Sequence, residues 1–244
     1  MVREGQDGLV TLNRIDEKVI HWISLVARRS EHFDHFAYFL SSSIFFKGAW
    51  VMSLLWYFWF SNRGDVESHR NRVIVIATLI GAAGGVIIAK IIGKFGPFRI
   101  RPMYEPWFKL PYGISERDYV GLHSLNSFPS DHAVIFAGLL TGLFLLSWRA
   151  ALSATAGVIV LILLPRVYFG FHYPTDILIG AALGIGSVLV AILLFQFTRT
   201  VSRLSDALLK WKDRSPAMFY ALAFLFTLEY ATLFEEVRHI FHLP

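Results

Sequence analysis

The sequence predicts an all-α integral membrane protein, with six transmembrane helices preceded by an N-terminal amphipathic helix lying in the membrane interface. Three observations predict it. Of 244 residues, 55% are hydrophobic, 16% aromatic and only 17% charged, whereas a soluble domain carries about a quarter charged residues. The apolar residues are gathered into blocks: Ile177 to Phe197 holds no charge, and Val73 to Ile92 holds only Lys90. About 20 such residues are what a helix needs to cross the hydrocarbon core. Finally, the stretches Ser61–Arg72, the turn at Arg149 and Thr198–Pro216 collect Arg63, Arg70, Arg72, Arg149, Arg199, Arg203, Lys210, Lys212 and Arg214. Cytoplasmic loops collect Lys and Arg.

In chain order, residues 1–35 form the interfacial segment. Leu12, Ile15, Val19, Ile23 and Val26 recur at three- and four-residue steps among Arg14, Asp16, Glu17, Lys18, Arg28 and Arg29. One apolar stripe on a charged helix suits the interface plane; packing on the protein's own surface is the alternative. Residues 36–244 form one six-span domain, with spans at Phe36–Phe60, Val73–Ile92, His132–Trp148, Ala150–Val167, Asp176–Phe197 and Ala217–Phe234. The third and fourth are short for a bilayer and rely on flanking aromatics or little tilt. Gly138/Gly142 and Gly180/Gly184 recur at a spacing of four, which lets helix backbones approach. The long polar stretch from Gly93 to Asp131 faces the side opposite the basic loops, outside the cell. A loop that long inside a compact bundle is usually functional.

The composition also excludes classes. Without cysteine, neither a disulfide framework nor a thiolate nucleophile or metal site is available. Glu4 and Asp7 stand where a basic leader belongs, so the first span is expected to be kept as an anchor. The formal charge of +5 is spread over loops, which speaks for orientation against anionic head groups and against a nucleic-acid partner.

Three polar clusters sit at span ends, and this topology puts them on one face: Lys94 through Pro102, Pro129 to His132, and Arg166 to Asp176. Lys94, Arg101 and Arg166 are three cations at a membrane boundary, and unpaired cations there imply an anion between them. Arginine's planar fork suits tetrahedral oxyanions such as phosphate. Ser130 stands at a helix N-cap position, where exposed N–H groups and the helix dipole favour the same anion. His172 lies four residues before Asp176. A carboxylate that accepts one ring proton leaves the other nitrogen as a nucleophile. His132 then supplies a proton to the leaving oxygen. The two histidines have no third ligand cluster, so a zinc site is weakly supported and neither metal nor cofactor is expected.

Lys94-x6-Arg101-Pro102, Pro129-Ser130-Asp131-His132 and Arg166-x5-His172-x3-Asp176 together resemble the three-part signature of the type 2 phosphatidic acid phosphatase superfamily, the membrane lipid phosphate phosphatases. The resemblance runs from about Lys94 to Phe197. It implies His172 as the nucleophile that becomes phosphohistidine and Asp176 as its partner. It implies His132 as general acid and then base, and Lys94, Arg101, Arg166 and Ser130 as the phosphate clamp, with no metal. Asp131 stands where the wider family most often has glycine, which resembles the bacterial branch acting on undecaprenyl diphosphate. Physically, Asp131 must point away from the phosphate or pair with a cation. The third motif begins Pro165-Arg166 where serine often precedes the arginine.

The function expected is hydrolysis of a membrane lipid phosphate or diphosphate through phosphohistidine. Undecaprenyl diphosphate is the first candidate, and phosphatidate or phosphatidylglycerol phosphate follows. The alternatives are a lipid phosphotransferase passing the group to another lipid such as lipid A, and a non-catalytic lipid-binding or transport protein on the same fold. The expected location is a bacterial plasma membrane with the site on its extracytoplasmic face. Lys90 reads as a snorkelling cation or a second phosphate ligand. Lys47 and Glu229, inside predicted spans, have no motif to assign them. Trp107, Phe108, Tyr112 and Tyr119 belong to the long loop, as an aromatic belt or lipid entry, and His123 in the same loop reads as a solvated histidine or a head-group hydrogen-bond partner.

Overall fold

The computed structural model describes residues 13–43, 45–61, 64–197 and 199–231, and among them the only regular structure is helical. Helix α1 (Arg14–Val26) starts where Asn13 accepts a hydrogen bond from the Ile15 N–H, with Asp16 and Glu17 in its first turn. Helix α2 (Glu31–Ser42) starts at Ser30, whose side chain accepts from the Phe33 N–H. Both starts satisfy N–H groups that the helix itself leaves orphaned.

The first expected span is not one continuous helix. After α2 the chain passes through a π-helical turn, Phe45–Ala49, before α3 (Trp50–Phe60), and Gly48 has non-helical dihedrals. A Cβ at Gly48 would stand 2.6 Å from the Phe136 ring, so the break lies where the backbone crosses a bulky neighbour. Hydropathy carries no trace of that contact. The side chain of Lys47 lies outside the described residues.

Helix α4 (Asp65–Phe95) has 31 residues, about 46 Å at 1.5 Å per residue. A long segment with a 3-10 turn at Pro102–Tyr104 and a short helix α5 (Glu116–Gly121) then leads to α6 (Asp131–Leu146). The next helical rod is α7 (Trp148–Val158), a π turn (Ile159–Leu163) and α8 (Leu164–Tyr168). It is followed by α9 (Pro174–Phe197), α10 (Arg199–Arg214) and α11 (Pro216–Ala231). The expected last span ended at Phe234, beyond the described residues.

Three helices among the described residues are long and apolar enough to cross a membrane: Asp65–Phe95, Trp148–Tyr168 and Pro174–Phe197. Three more, Trp50–Phe60, Asp131–Leu146 and Pro216–Tyr230, are apolar but shorter. On α4 and α9, Ile87, Ile88, Ile91, Leu178, Ile179, Leu189, Val190, Leu193 and Leu194 are exposed. Surface that apolar is at home in lipid and not in water, so this is a membrane protein.

Helices α4, α6 and α9 pack around Ala82, Ile135, Leu139 and Val188. The expected small-residue pairs lie in this packing. A Cβ at Gly184 would overlap the Val134 carbonyl, and one at Gly142 would overlap Thr78.

Two further differences concern amphipathic helices. The stretch after Phe197, expected as a loop, is helix α10, because Leu208, Leu209 and Trp211 recur on one side and pack onto the bundle. In α1 the fully buried residues are Asp16 and Ile20, while Ile15, Val19 and Val26 of the expected stripe remain exposed. The helix therefore docks on the protein through a face that carries a carboxylate. Leu12 lies outside the described residues.

Candidate active site

The cavity that collects the motif residues has a volume of about 660 Å³. It lies where α4 ends, α6 begins and the α8–α9 connection returns, so helices antiparallel in sequence bring their ends to one side. Lys90, Lys94, Arg101, Asp131, His132, Arg166 and His172 all line it, together with Tyr38, Ser41 and Ser42 of α2. Sequence spacing thus brought Lys94, Arg101, His132, Arg166 and His172 to one space. Ser130 and Asp176 are fully buried behind its wall.

His172 is held from behind. Its Nδ1 lies 2.8 Å from the main-chain oxygen of Ser127. A carbonyl only accepts, so Nδ1 carries the ring proton and Nε2 bears the lone pair. Arg101 Nη1, which only donates, lies 3.4 Å from Nε2 and is consistent with that tautomer. Burial, and after it the charge of Arg101, pulls the His172 imidazole well below the ordinary value of 6.5. A neutral ring with its lone pair toward an anion site is the form a nucleophile needs.

The expected direct bond from Asp176 to this ring is replaced by a relay. Asp176 Oδ2 is 3.9 Å from Nδ1, accepts from the Ser127 hydroxyl at 2.6 Å and from the Tyr173 N–H at 2.9 Å. The carboxylate therefore fixes Ser127 and the His172 loop, and Ser127 holds the ring.

The cations differ in setting. Arg101 is buried and donates from Nη1 to the Phe171 carbonyl at 2.6 Å and from Nη2 to the Asn126 carbonyl at 3.1 Å. Arg166 is buried with Nη2 3.3 Å from the Ser41 carbonyl. The Nε atoms of both arginines have no hydrogen-bond partner among the described residues. Lys94 is exposed at the rim. Ser130 occupies the N-cap position of α6 but makes no capping bond, and its Oγ is buried without a partner among the described residues. Asp131 pairs with a cation, as its position required: Lys90 Nζ is 2.8 Å from its Oδ2. Lys90 thus spans two walls of the cavity.

Sequence reasoning missed the supports. Asn126 bridges motifs, donating to the Gly93 and Pro97 carbonyls at 2.9 and 3.0 Å. Arg99, inside the first motif, contacts Asp176, Asp16 and Thr175. In the long segment, the Tyr38 hydroxyl donates to Asp118 at 2.5 Å and the Tyr112 N–H to Asp34 at 2.9 Å, folding it over α2. Phe108 is buried in the small core beneath the site, while Trp107, Tyr112 and Tyr119 are exposed. His123 packs edge-on to Tyr104.

Two histidines and four cations thus line one cavity at the ends of membrane helices, with a carboxylate relay behind it. Comparison with known proteins agrees: a family model described as the PAP2 superfamily matches residues 73–200. That is more than half of the chain, and the chain belongs to this superfamily, whose members are phosphatases. The chain is also 30% identical over 125 residues to the bacitracin transport permease protein BcrC of Bacillus licheniformis, a match covering 49% of this chain and 55% of that protein. The chain therefore spans about half the length of the curated relative it matches. No solved structure matches it.

Proposed function

We propose that this protein is a lipid phosphate phosphatase that works through phospho-His172 without a metal. The observation that carries the reading is the Ser127 carbonyl on His172 Nδ1, which leaves the lone pair on Nε2 as the nucleophile in a cavity rich in cations. In the first step Nε2 attacks phosphorus, the bond from phosphorus to the leaving oxygen breaks, and His132 gives that oxygen its proton. In the second step His132 takes a proton from water, the water oxygen bonds to phosphorus, and the P–N bond returns its electrons to Nε2. Arg101, Arg166 and Lys94 hold the phosphoryl oxygens, and positioning with charge neutralisation is most of what this transfer requires. Ser130 adds a hydroxyl when its buried Oγ turns toward the anion.

The substrate we favour is undecaprenyl diphosphate. Asp131 in the second motif supports it, as does the similarity to a protein named for bacitracin transport. The reading puts the chain across a bacterial plasma membrane six times, with the cavity and the α1 helix docked beside it on the extracytoplasmic face. The basic residues at the opposite end of the bundle support that orientation. Helix α3 has 11 residues, about 16 Å against a hydrocarbon core of about 30 Å. The first crossing therefore needs α2 and the π turn as well.

The test is phosphate release by detergent-purified protein in excess EDTA, wild type beside His172→Ala. Undecaprenyl diphosphate, phosphatidate and phosphatidylglycerol phosphate are offered in turn. Release by wild type alone is expected, fastest with the diphosphate. Release that stops on chelation and returns with magnesium overturns the metal-free mechanism. Phosphoryl transfer to an added lipid acceptor without release to water makes the protein a phosphotransferase.

A further inference from the structure

Asp16 lies on α1, well before the segment that matches the family, yet it is fully buried against the active-site loop. Its Oδ1 accepts from the Thr175 N–H at 3.0 Å, and its Oδ2 accepts from the Thr175 hydroxyl and from Arg99 Nη2, both at 2.5 Å. Arg99 Nη1 donates to Asp176 and, at 2.9 Å, to the Thr175 hydroxyl. The guanidinium lies 3.9 Å over the Tyr173 ring. The main chain of Arg99 is tied to the same place, its N–H to Asn126 Oδ1 at 3.1 Å and its carbonyl to the Ser127 N–H at 3.0 Å. One arginine therefore touches every group that holds His172 from behind.

We propose that Asp16 and Arg99 are a positioning pair for His172, which makes α1 a working part of the active site. The proposal rests on the reading of His172 as the nucleophile. A bolt for α1 alone would not need charges, because a buried ion pair stabilises no better than apolar residues of the same volume. What charges add is direction. Arg99 fixes the Asp176 carboxylate, whose other oxygen fixes the Ser127 hydroxyl, and Ser127 fixes the ring. Two carboxylates share this one guanidinium, so the rear of His172 carries a net negative charge. The ring becomes cationic as phosphorus bonds to Nε2, and preset charge of the opposite sign lowers that barrier.

The experiment compares wild type, Asp16→Asn, Arg99→Gln and the double variant in detergent. Steady-state kinetics are read together with the pre-steady-state rate of phosphoenzyme formation. Asp16→Asn keeps the side-chain shape and removes the charge. Its kcat and phosphoenzyme rate are expected to fall ~10- to 100-fold, the scale of a displaced reacting group, with KM within about twofold of wild type. Arg99→Gln should do the same, and the double variant should lose far less than the product of the two losses. Arg99→Lys, which reaches one carboxylate, should restore part of the rate. Asp16→Glu, which keeps the charge but moves the carboxylate by one methylene relative to Arg99 and Thr175, should cost about tenfold in kcat and decides the matter if the neutral variants are not monodisperse. Wild-type kcat and phosphoenzyme rate in folded Asp16→Asn, or in Asp16→Glu where that variant decides, would overturn the proposal and leave the phosphatase reading standing. Absence of turnover in wild type itself would overturn both.

Discussion

The Nδ1 atom of His172 donates to the main-chain oxygen of Ser127, while the Asp176 carboxylate stands one step further back at 3.9 Å. The tautomer of His172 is thus set by backbone, and Asp176 acts on the loop that carries that backbone. Removal of Asp176 should therefore loosen the ring rather than change its protonation. Asp176→Asn is expected to reduce kcat less than His172→Ala does, as single-turnover rates would show.

The two histidines differ in what their loss should do. His172→Ala is expected to abolish phosphoenzyme. His132→Ala should slow turnover of natural substrates by about 10²- to 10⁴-fold, the usual contribution of a general acid. With an aryl phosphate, whose leaving group needs no proton, His132→Ala should form phosphohistidine and accumulate it. Acid-labile, base-stable label trapped on that variant is the readout.

The pH dependence follows from the setting of His172. Burial and Arg101 hold its pKa well below 6.5, and attack requires the neutral ring. The acid limb of kcat/KM should therefore fall below pH 6.5, with a basic limb where the proton donor is lost, giving a bell. Arg101→Gln should move the acid limb upward, because one cause of the lowering is gone. Stability has the same sign: below pH 6.5 the unfolded chain takes up a proton on His172 that the folded chain does not, so stability is lost as pH falls through that range. Between pH 8 and pH 5 the melting temperature of wild type should fall more steeply than that of His172→Gln.

The Lys90–Asp131 pair, 2.8 Å apart at the cavity wall, predicts a difference between mono- and diphosphate substrates. On the proposed reading, the second phosphate of a diphosphate is expected to compete with Asp131 for Lys90. Asp131→Asn is expected to lower KM for a diphosphate by about fivefold, an effect of about 1 kcal/mol and the upper range for a part-exposed pair. KM for a monophosphate should barely change. Lys90→Met should raise KM for the diphosphate alone.

The helix packing predicts stability. Gly184→Val places atoms on the Val134 backbone, whereas Gly186 has nothing within 4 Å of its Cβ position. Overpacking typically costs about 1–3 kcal/mol, and here neither backbone has room to move. Gly184→Val should lower the melting temperature in detergent sharply or prevent folding, and Gly186→Ala should be neutral.

The convergence of Lys94, Arg101, His132, Arg166 and His172 was legible because each stands at the end of an apolar block, and antiparallel spans return their ends to one side. Arg99 was not legible. It lies between two motif cations, and only the approach of Asp16 and Asp176 from 83 and 77 residues away distinguishes it. Ser127 acts through its carbonyl, which no side-chain pattern reports. Helix α10 was hidden by its charges, although Leu208 and Trp211 repeat at a helical step. The broken first span was hidden because hydropathy averages over Gly48 and does not register the Phe136 ring beside it.

The burial of Asp16 has a consequence for biogenesis. Its partners on Arg99 and Thr175 are synthesised 83 and 159 residues later. While the nascent chain lacks them, this carboxylate has no counter-charge and keeps its water, so α1 has to wait undocked at the membrane surface. The Asp16 contacts can then close only after the start of α9 has been made, so the docking of α1 is a late step in assembly.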